Sequence, residues 1–467
     1  MKAIKHLILL LVLSSGVFLG CQPNVEEIST DTSLQLSYST DTVTFDTLFS
    51  SLGSITKRLQ IYNTHDEAIN ITQLSLGTGD QSPYNLTVNG FEGNSFENEV
   101  IFGKDSLLIL VEVIIDPNNQ DLPFLVKDDI QIEYNTKKEN VNLVAWGQDA
   151  IFINNEAITC NTTWTKDRPY IIYDSAWVDT GCKLTVEAGA KIYIDNGAIF
   201  TIAGSLDIQG TTEDKVLIAN TRLDAKYDEA PGQWGSILFY PGSIDNSIDH
   251  AIIKNGTTGL TLSTNLVNGE GAELLISNTS IHFMSSSGIA AYTGQITAFN
   301  LEVFSCKDQL VAGLGGGSYV FNHCTFSNDP NDFTREGPSV IFTNALEFND
   351  GSTYPNDLTL SLTNSIVWGR EDEELTLDLS ANTALNVQVQ NNIIRSSDDT
   401  WIDLGNDISQ ENNYPKFYKP ALFNYQIDSL SPAREAATAS SITHDLLGTL
   451  RDAKPDIGAY ERKDSIP

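Results

Sequence analysis

Basic residues are scarce in this chain. Its 467 residues include 27 lysines and arginines against 61 aspartates and glutamates, a formal net charge of −34 at pH 7. A surface of that sign repels anionic polymers, and the sequence has no basic patch with interleaved aromatic residues of the kind that binds nucleic acid. The composition therefore predicts no nucleic-acid partner and disfavours sulfated or uronic-acid glycans.

Cysteine and histidine are also scarce, with five and six residues respectively. No two cysteines have the C-x-x-C spacing of a zinc site. The sequence predicts no cofactor and leaves the presence of a metal ion undecided. We expect no two histidines to converge on a metal or a catalytic triad; they are His6, His65, His250, His282, His323 and His444.

After residue 20, no apolar run is as long as the one that precedes it. Before it, Lys2 and Lys5 precede an apolar stretch that extends from Leu7 to Leu19. This stretch is too short to cross a bilayer comfortably, which takes about 20 residues. The pattern predicts a cleaved signal peptide over residues 1–20, either an ordinary secretory peptide or a lipoprotein signal. Removal of the two lysines would leave 25 basic residues against 61 acidic ones, a net charge of −36.

The residues around the predicted cleavage site favour lipid modification. Phe18-Leu19-Gly20-Cys21 resembles a lipobox, which implies that Cys21 becomes the N-terminus and carries lipid. The lack of Asp after Cys21 and the pair Glu26-Glu27 resemble the export signal of surface lipoproteins in Bacteroidota. The resemblance implies a flexible tether over residues 21–33, a membrane partner through Cys21, and an outer-membrane, cell-surface location.

Residues 34–148 have the pattern of an antiparallel β-sandwich. Apolar and polar residues alternate over Lys57–Tyr62 and Asp129–Tyr134, and Leu107–Ile115 is a nearly unbroken apolar run. Ile61-Tyr62-Asn63, Val113–Pro117 and Val141–Gly147 resemble the immunoglobulin-like modules of bacterial surface proteins. The resemblance implies a spacer or interaction module without catalytic residues.

Residues 149–420 change to short strands that recur every 7–10 residues, a wavelength that suits three-sided coils. A repeated asparagine followed by apolar positions has spacings of 22, 22, 42 and 27 residues, which we interpret as one coil, one coil, two coils and one coil with an inserted loop. Asparagine also favours ordinary turns, but two consecutive spacings of 22 favour a solenoid. We expect one stacked ladder of these asparagines: Asn278, Asn300, Asn322, Asn364 and Asn391.

The two ends of this region resemble the right-handed parallel β-helix proteins of the pectate-lyase-like superfamily. Gly232-Gln233-Trp234-Gly235 resembles the first coils, and Pro455–Glu461 resembles the C-terminal ending. The sequence thus predicts an all-β chain in which an immunoglobulin-like sandwich precedes a right-handed, single-stranded parallel β-helix, with a C-terminal cap and tail over residues 421–467. The superfamily includes lyases, hydrolases, epimerases and adhesive proteins, so the resemblance implies no particular activity.

The coil length also bears on the four remaining cysteines. Cys160 and Cys182 are 22 residues apart, so equivalent positions on stacked coils would bring them within disulfide reach. Cys306 and Cys324 are out of register with each other, and we expect buried free thiols there.

Catalytic signatures are weak in the predicted coils. Asp398-Asp399 lacks the companion motifs of a hydrolase, so a solvated turn explains it better. The acidic run Arg370–Glu374 and the segment Asn328–Asp332 are interpreted as polar loops, although carboxylates could hold Ca²⁺. We expect structural roles for the aromatic residues that could otherwise stack on sugars: Trp234, Phe239, Tyr240 and Trp368.

Two functions remain open from the sequence. The first is a non-catalytic surface protein that binds a glycan or a partner protein through the β-helix and its loops, including parts of residues 327–353. The second is a polysaccharide lyase or glycoside hydrolase with a carboxylate site on adjacent coils. Two carboxylates and a basic residue in one groove would favour the enzyme.

Overall fold

The computed structural model describes residues 27–50, 52–117, 123–265, 270–329, 333–335, 337–348, 350–379, 381–396, 400 and 414–463. Cys21 and the Asp398-Asp399 pair lie outside these residues. The chain divides into two compact units, with the boundary between Gln148 and Asp149. No helix within the described ranges is long and apolar enough to span a membrane.

The first unit is a two-sheet sandwich. Its strands are β1 Ser37–Tyr38, β2 Thr42–Phe49, β3 Lys57–Tyr62, β4 Ile69–Leu76, β5 Tyr84–Val88, β6 Phe91–Gly93, β7 Ser95–Phe96, β8 Glu99–Ile101, β9 Ser106–Val113, β10 Phe124–Tyr134 and β11 Lys137–Gln148. One sheet has the order β1-β3-β9-β5-β6, and the other has the order β2-β11-β10-β4-β7, with β8 also paired to β4.

Alternating residues build the core of this sandwich. β10 and β11 form an antiparallel hairpin whose turn residues Asn135 and Thr136 both have positive φ, as the twist of a two-residue hairpin requires. Inward-facing Ile132 and Leu143 are fully buried, as is Ile109 of the opposite sheet. Since β2 pairs with β11 in parallel and the other strands of the sandwich pair antiparallel, the topology is immunoglobulin-like.

The second unit is a parallel β-helix, which confirms the predicted all-β fold class. Its strands are β12 Ile151–Ala157, β13 Thr162–Trp164, β14 Tyr170–Val178, β15 Lys183–Glu187, β16 Lys191–Ile194, β17 Ile199–Ile202, β18 Ser205–Gln209, β19 Val216–Asn220, β20 Ile237–Phe239, β21 Asn246–Asp249, β22 Ala251–Lys254, β23 Leu260–Leu262, β24 Thr264–Asn265, β25 Glu270–Gly271, β26 Glu273–Met284, β27 Ile289–Tyr292, β28 Gln295–Cys306, β29 Val311–Leu314, β30 Gly317–Asn322, β31 Thr325–Ser327, β32 Val340–Thr343, β33 Ala345–Glu347, β34 Thr353–Pro355, β35 Leu358–Thr363, β36 Ile366–Trp368, β37 Leu375–Asp378, β38 Leu385–Gln390 and β39 Ile393–Ile394. Twenty-four of them form one continuous sheet whose pairings are parallel.

Each coil contributes a short strand to three faces. Face A contains β16, β19, β22, the second halves of β26 and β28, β31, β36 and β39. Face B contains β17, β20, β23, β27, β29, β32 and β37. Face C contains β15, β18, β21, the first halves of β26 and β28, β30, β35 and β38.

The interior of the coils is filled by one apolar residue stacked on the next. On face C the register places Ile276 beside Ala298, Ala298 beside Phe321, and Phe321 beside Leu362, and all four are buried. Near the first coils, Trp164 stacks on Tyr170 with ring centroids 4.4 Å apart. Alternate residues of each short strand are therefore buried, and the same pattern recurs at the interval of one coil.

Left-handed residues form the corner between faces C and A. In register order they are His250, Asn278, Asn300, His323, Asn364 and Asn391, each with φ between 48° and 59°. Asparagine tolerates this backbone region better than most residues. Asn300 donates to Asn278 Oδ1 (2.9 Å), and Asn278 donates to Asp249 Oδ1 (2.8 Å).

The predicted ladder was wrong at Asn322. The pairing places this residue opposite Phe299 and Thr363, one position before the corner, and His323 occupies the corner instead. Asn322 Oδ1 still accepts a hydrogen bond from Asn364 Nδ2 (3.0 Å), but Asn300 Oδ1 accepts from Arg451 Nη2. The run of side-chain amides is therefore broken between Asn300 and Asn322.

The interval between Asn322 and Asn364 is one coil, not the two that its 42 residues suggested. β30 pairs directly with β35, and β31 pairs directly with β36. The extra length lies in the connection from Ser327 to Val340 and in the hairpin that β33 and β34 form between faces B and C.

Residues 414–463, which we call the C-terminal segment, contain β40 Phe417–Lys419 and β41 Asn424–Ile427. We expected these residues to cap the end of the coil stack. Their described contacts are instead with face A, along the side of the stack. Outward-facing Phe283, Phe304 and Trp368 of face A form a second apolar core with Phe417 and Tyr425. The segment covers face A because these large outward-facing side chains need burial.

Two of the four later cysteines are bonded. Cys160 and Cys182 form a disulfide with their Cα atoms 4.8 Å apart. Cys306 and Cys324 are buried free thiols, and burial raises the pKa of both above the usual thiol range.

Candidate binding site on the β-helix

A pocket of about 600 Å³ lies between the C/A corner of the coils and the C-terminal segment. We call it the flank pocket. Its wall on the coils consists largely of hydroxyl, amide, imidazole and aromatic side chains: Thr212, His250, Asn278, Thr297, Phe299, Asn300 and Asn322. The opposite wall includes Ser441–Asp445 and Gly448 of the C-terminal segment.

Hydrogen bonds to the coils fix the segment wall of the flank pocket. Asn300 Nδ2 donates to the carbonyl of His444 (2.8 Å), and Arg451 Nη2 donates to Asn300 Oδ1 (2.9 Å). Arg451 in turn pairs with Glu461, and both side chains are almost fully buried. The corner asparagine thus positions the loop that closes the pocket.

Among the described residues, Asp445 is the one carboxylate that lines the flank pocket, and both of its oxygens accept hydrogen bonds. Oδ1 accepts from the backbone N–H groups of Leu447 (2.9 Å) and Thr449 (2.6 Å), and Oδ2 accepts from the N–H of Glu461 (2.8 Å). These three hydrogen bonds hold the carboxylate in place, and it shapes the loop that lines the pocket.

Two histidines line the flank pocket, which the sequence spacing did not indicate. His250 comes from the corner and His444 from the C-terminal segment. His250 Nε2 lies 3.3 Å from Thr212 Oγ1, and its Nδ1 lies 3.0 Å from Asp249 Oδ1. Within the described ranges, no three His, Cys, Asp or Glu side chains are grouped to hold a metal ion.

A second pocket, of about 470 Å³, lies on face C, and we call it the face pocket. None of its described lining residues is basic. The lining includes Asp245, Ser247, Glu273, Leu275, Gln295, Thr297 and Ser318. Thr297 lines both pockets.

The acidic run near residue 370 is a structural ion-pair cluster. Glu374 is fully buried and accepts two hydrogen bonds from Arg335 Nη2, at 2.6 and 2.8 Å. Asp372 pairs with Arg395 (3.1 Å), and Arg370 lies 3.5 Å from Asp329. Arginines therefore neutralise Glu374, Asp372 and Asp329.

The aromatic candidates fall into two groups. Trp234, Phe239 and Trp368 are buried, as their expected structural roles require. Tyr240 is 52% exposed and therefore does not belong to the core. Phe299, which the sequence did not single out, is the aromatic ring that lines the flank pocket.

Sequence reasoning also missed Glu302, a buried carboxylate beneath the C-terminal segment. It accepts hydrogen bonds from the Tyr460 hydroxyl (2.6 Å) and the Ser280 hydroxyl (3.0 Å). Burial raises its pKa to about 7, and these two hydrogen bonds and the charge of Lys215 offset the rise only partly. In the sequence, this buried carboxylate could have been recognised as the charged residue within the otherwise apolar run Leu301–Phe304.

Comparisons with known proteins do not assign this chain to a family. No family model and no curated protein matches the chain. Among solved structures, pectate lyase Pel9A is 11% identical over 68% of this chain and 88% of its own, with a TM-score of 0.30. The catalytic unit of a GH87 α-1,3-glucanase from Streptomyces thermodiastaticus is 10% identical over 73% and 74%, with a TM-score of 0.19.

The sandwich has similarities of its own. PapD-like domain 7 of human CEP192 is 11% identical over 28% of this chain and 96% of its own, with a TM-score of 0.17. All these TM-scores are low, and the proposed function does not depend on these similarities.

Proposed function

We propose that this chain is an exported, lipid-anchored surface protein that binds an uncharged glycan in the flank pocket and does not cleave it. The observation that carries the proposal is the lining of the pocket, where hydroxyls, amides and imidazoles surround the ring of Phe299. Such groups can exchange hydrogen bonds with sugar hydroxyls, and an aromatic ring offers an apolar surface to a sugar face. The acidic net charge disfavours anionic glycans.

The absence of turnover is inferred from the carboxylates of the pockets. Glycoside hydrolysis uses two carboxyl groups roughly 5–10 Å apart, one of them free to donate a proton. Among the described residues, Asp445 is the one carboxylate of the flank pocket, and its two oxygens accept three backbone hydrogen bonds. The face pocket does hold two carboxylates, Asp245 and Glu273, but none of its described lining residues is basic, so the grouping of two carboxylates with a basic residue is incomplete there.

A glycan array with the chain from Gln22 onward tests binding. We expect neutral glycans to bind, and Phe299→Ala to weaken the best of them at least tenfold. Phe91→Ala is the matched control, since Phe91 is an exposed aromatic residue of the sandwich. Binding restricted to anionic glycans, or to proteins only, would overturn the proposal.

A reducing-sugar and unsaturated-product assay on the bound glycans tests the second part of the proposal. We expect no product after prolonged incubation. Turnover of any glycan would favour the hydrolase or lyase, and the Asp245→Asn and Glu273→Gln variants would then locate the chemistry.

The lipid anchor is supported by the signal-like residues 1–20 and the sequence Leu19-Gly20-Cys21. In a bacterial host that processes lipoproteins, we expect the full chain to partition with the outer membrane and to incorporate labelled palmitate. Cys21→Ser should abolish labelling and release the protein from the membrane fraction. Labelling that persists in Cys21→Ser would exclude Cys21 as the lipid attachment site.

A further inference from the structure

The flank pocket and the face pocket meet at Thr297. This residue lines both, and on the next coil Val320 lines the flank pocket while Ser318, two positions earlier on β30, lines the face pocket. The register places Leu275, Thr297 and Val320 side by side on three successive coils. The boundary between the pockets is therefore a row of small and medium-sized side chains without charge.

The two pockets together cross the full width of face C. On β28, Gln295 lines the face pocket and Phe299 lines the flank pocket. Four residues of strand extend about 13 Å, at roughly 3.3 Å per residue. Asp245 and the C-terminal segment extend the combined surface beyond both ends of the strand. A single sugar ring would fill only part of such a cleft.

The two ends of the cleft differ in chemistry. The flank pocket offers the Phe299 ring and both donors and acceptors on asparagine and histidine side chains. The face pocket offers hydrogen-bond acceptors on Asp245, Glu273 and Gln295, which suit the hydroxyl donors of a sugar. Both ends can therefore contact successive units of one hydroxyl-rich chain, and no lysine or arginine is among the described residues that line them.

We infer that the two pockets are subsites of one cleft, which binds an internal stretch of a linear, uncharged polysaccharide lying along the strands of face C. This inference rests on the proposed glycan binding and adds the length and direction of the ligand. A chain that reaches both subsites pays the entropy of association only once, so its affinity exceeds that for either half alone.

The experiment is calorimetric titration of the chain from Gln22 onward with neutral oligosaccharides of two to eight units, using cello-, malto-, manno- and xylo-oligosaccharides as probes. For the series that binds, we expect affinity to rise at least tenfold between two units and the length that spans both pockets, and then to level off. Equal affinity for all lengths would overturn the two-subsite cleft while leaving glycan binding intact.

Two variants locate the cleft. Thr297→Arg places a long charged side chain at the junction and should remove the length dependence. Ser361→Arg is the matched control, because Ser361 faces outward in the same row one coil further along and lines neither pocket. Equal loss in both variants would overturn the assignment of the junction to Thr297.

The outcomes separate the two proposals. Failure of every neutral oligosaccharide and polysaccharide to bind the wild-type chain would contradict the proposed function, and the cleft with it. Tight binding of a disaccharide, unchanged by Thr297→Arg, would contradict the cleft alone. Thermal unfolding of each variant shows that a lost affinity does not reflect a lost fold.

Discussion

Glu302 shows how one side chain couples the β-helix to the segment that covers it. The residue faces outward on face A, where an isolated strand would expose it to water, but Tyr460 and the surrounding apolar residues bury it. Desolvation disfavours the charged form of a carboxyl group. The group is therefore protonated more readily in the folded chain than in the unfolded one.

The raised pKa predicts a pH dependence of stability. Between pH 4.5 and about 7, folded Glu302 binds more protons than the unfolded residue, so its contribution is fully present below pH 4.5 and is lost as the pH rises through about 7. At about 1.4 kcal/mol per pKa unit, the change is at most about 3.5 kcal/mol. In urea denaturation, Glu302→Gln should lose less stability than wild type between pH 5 and 8.

Glu187→Gln is the control for that comparison, because it removes one exposed carboxylate from face C. Its pH profile should parallel that of the wild type. Parallel profiles for Glu302→Gln and the wild type would show that Glu302 stays ionised in the folded chain.

The Cys160–Cys182 disulfide cross-links the first coils of the β-helix. A bridge that closes a loop of this length stabilises a protein by about 3 kcal/mol, largely through the unfolded chain. Replacing both cysteines by serine should lower the melting temperature, and dithiothreitol should lower that of the wild type to the same value. A melting temperature of the serine variant that still falls in dithiothreitol would point to another reducible bond.

At the scale of the coil, hydrogen bonds at the corner between faces C and A join successive coils. Asn364 is buried there and joins two coils and the C-terminal segment. It donates to Asn322 Oδ1 (3.0 Å) and accepts from the N–H of Thr438 (2.9 Å). Asn391 occupies the equivalent corner one coil later, and with the described residues its side chain makes a single 3.4 Å contact, to the Thr438 hydroxyl.

This difference allows a matched prediction. Asn364→Ala and Asn391→Ala impose the same strain, since both positions have positive φ. Asn364→Ala additionally leaves buried partners unsatisfied, which costs roughly 1–3 kcal/mol. In denaturant unfolding, we expect it to be less stable than Asn391→Ala by about that amount. Equal losses of stability in the two variants would mean that backbone strain at the corner accounts for the whole effect.

At the scale of the whole molecule, the acidic charge sets solubility and the class of ligand. The formal charge of −34 implies mutual repulsion across the folded surface. Exposed pairs such as Lys138–Glu133 (2.6 Å) neutralise only a few of the 61 acidic residues. Repulsion of this kind is screened by salt, while the buried Arg335–Glu374 and Arg451–Glu461 pairs are screened much less.

Salt should therefore stabilise the chain. Raising NaCl from 10 to 150 mM shortens the screening length from about 30 Å to about 8 Å, and we expect the melting temperature at pH 7 to rise by several degrees. The gain should shrink near the isoelectric point of about 4.3, where the net charge vanishes. A melting temperature at pH 7 that does not depend on salt would show that the repulsion is already balanced locally.

The sequence by itself determined the fold class, because burial alternates along each short strand and the pattern recurs at coil length. The alternation in Asp129–Tyr134 likewise predicted a sandwich strand, since period-two burial is a local property of the chain. Coil counting failed where insertions lengthened the coil between Asn322 and Asn364, because spacing alone cannot separate a second coil from a loop and a hairpin.

Only the tertiary structure decided the candidate site. His250 and His444 are far apart in the sequence, and they line one pocket because the C-terminal segment folds back over outward-facing Phe283 and Phe304. The placement of that segment depends on long-range packing, which leaves no period in the local sequence. For the same reason, the junction at Thr297 follows from the register of neighbouring coils and has no signature of its own.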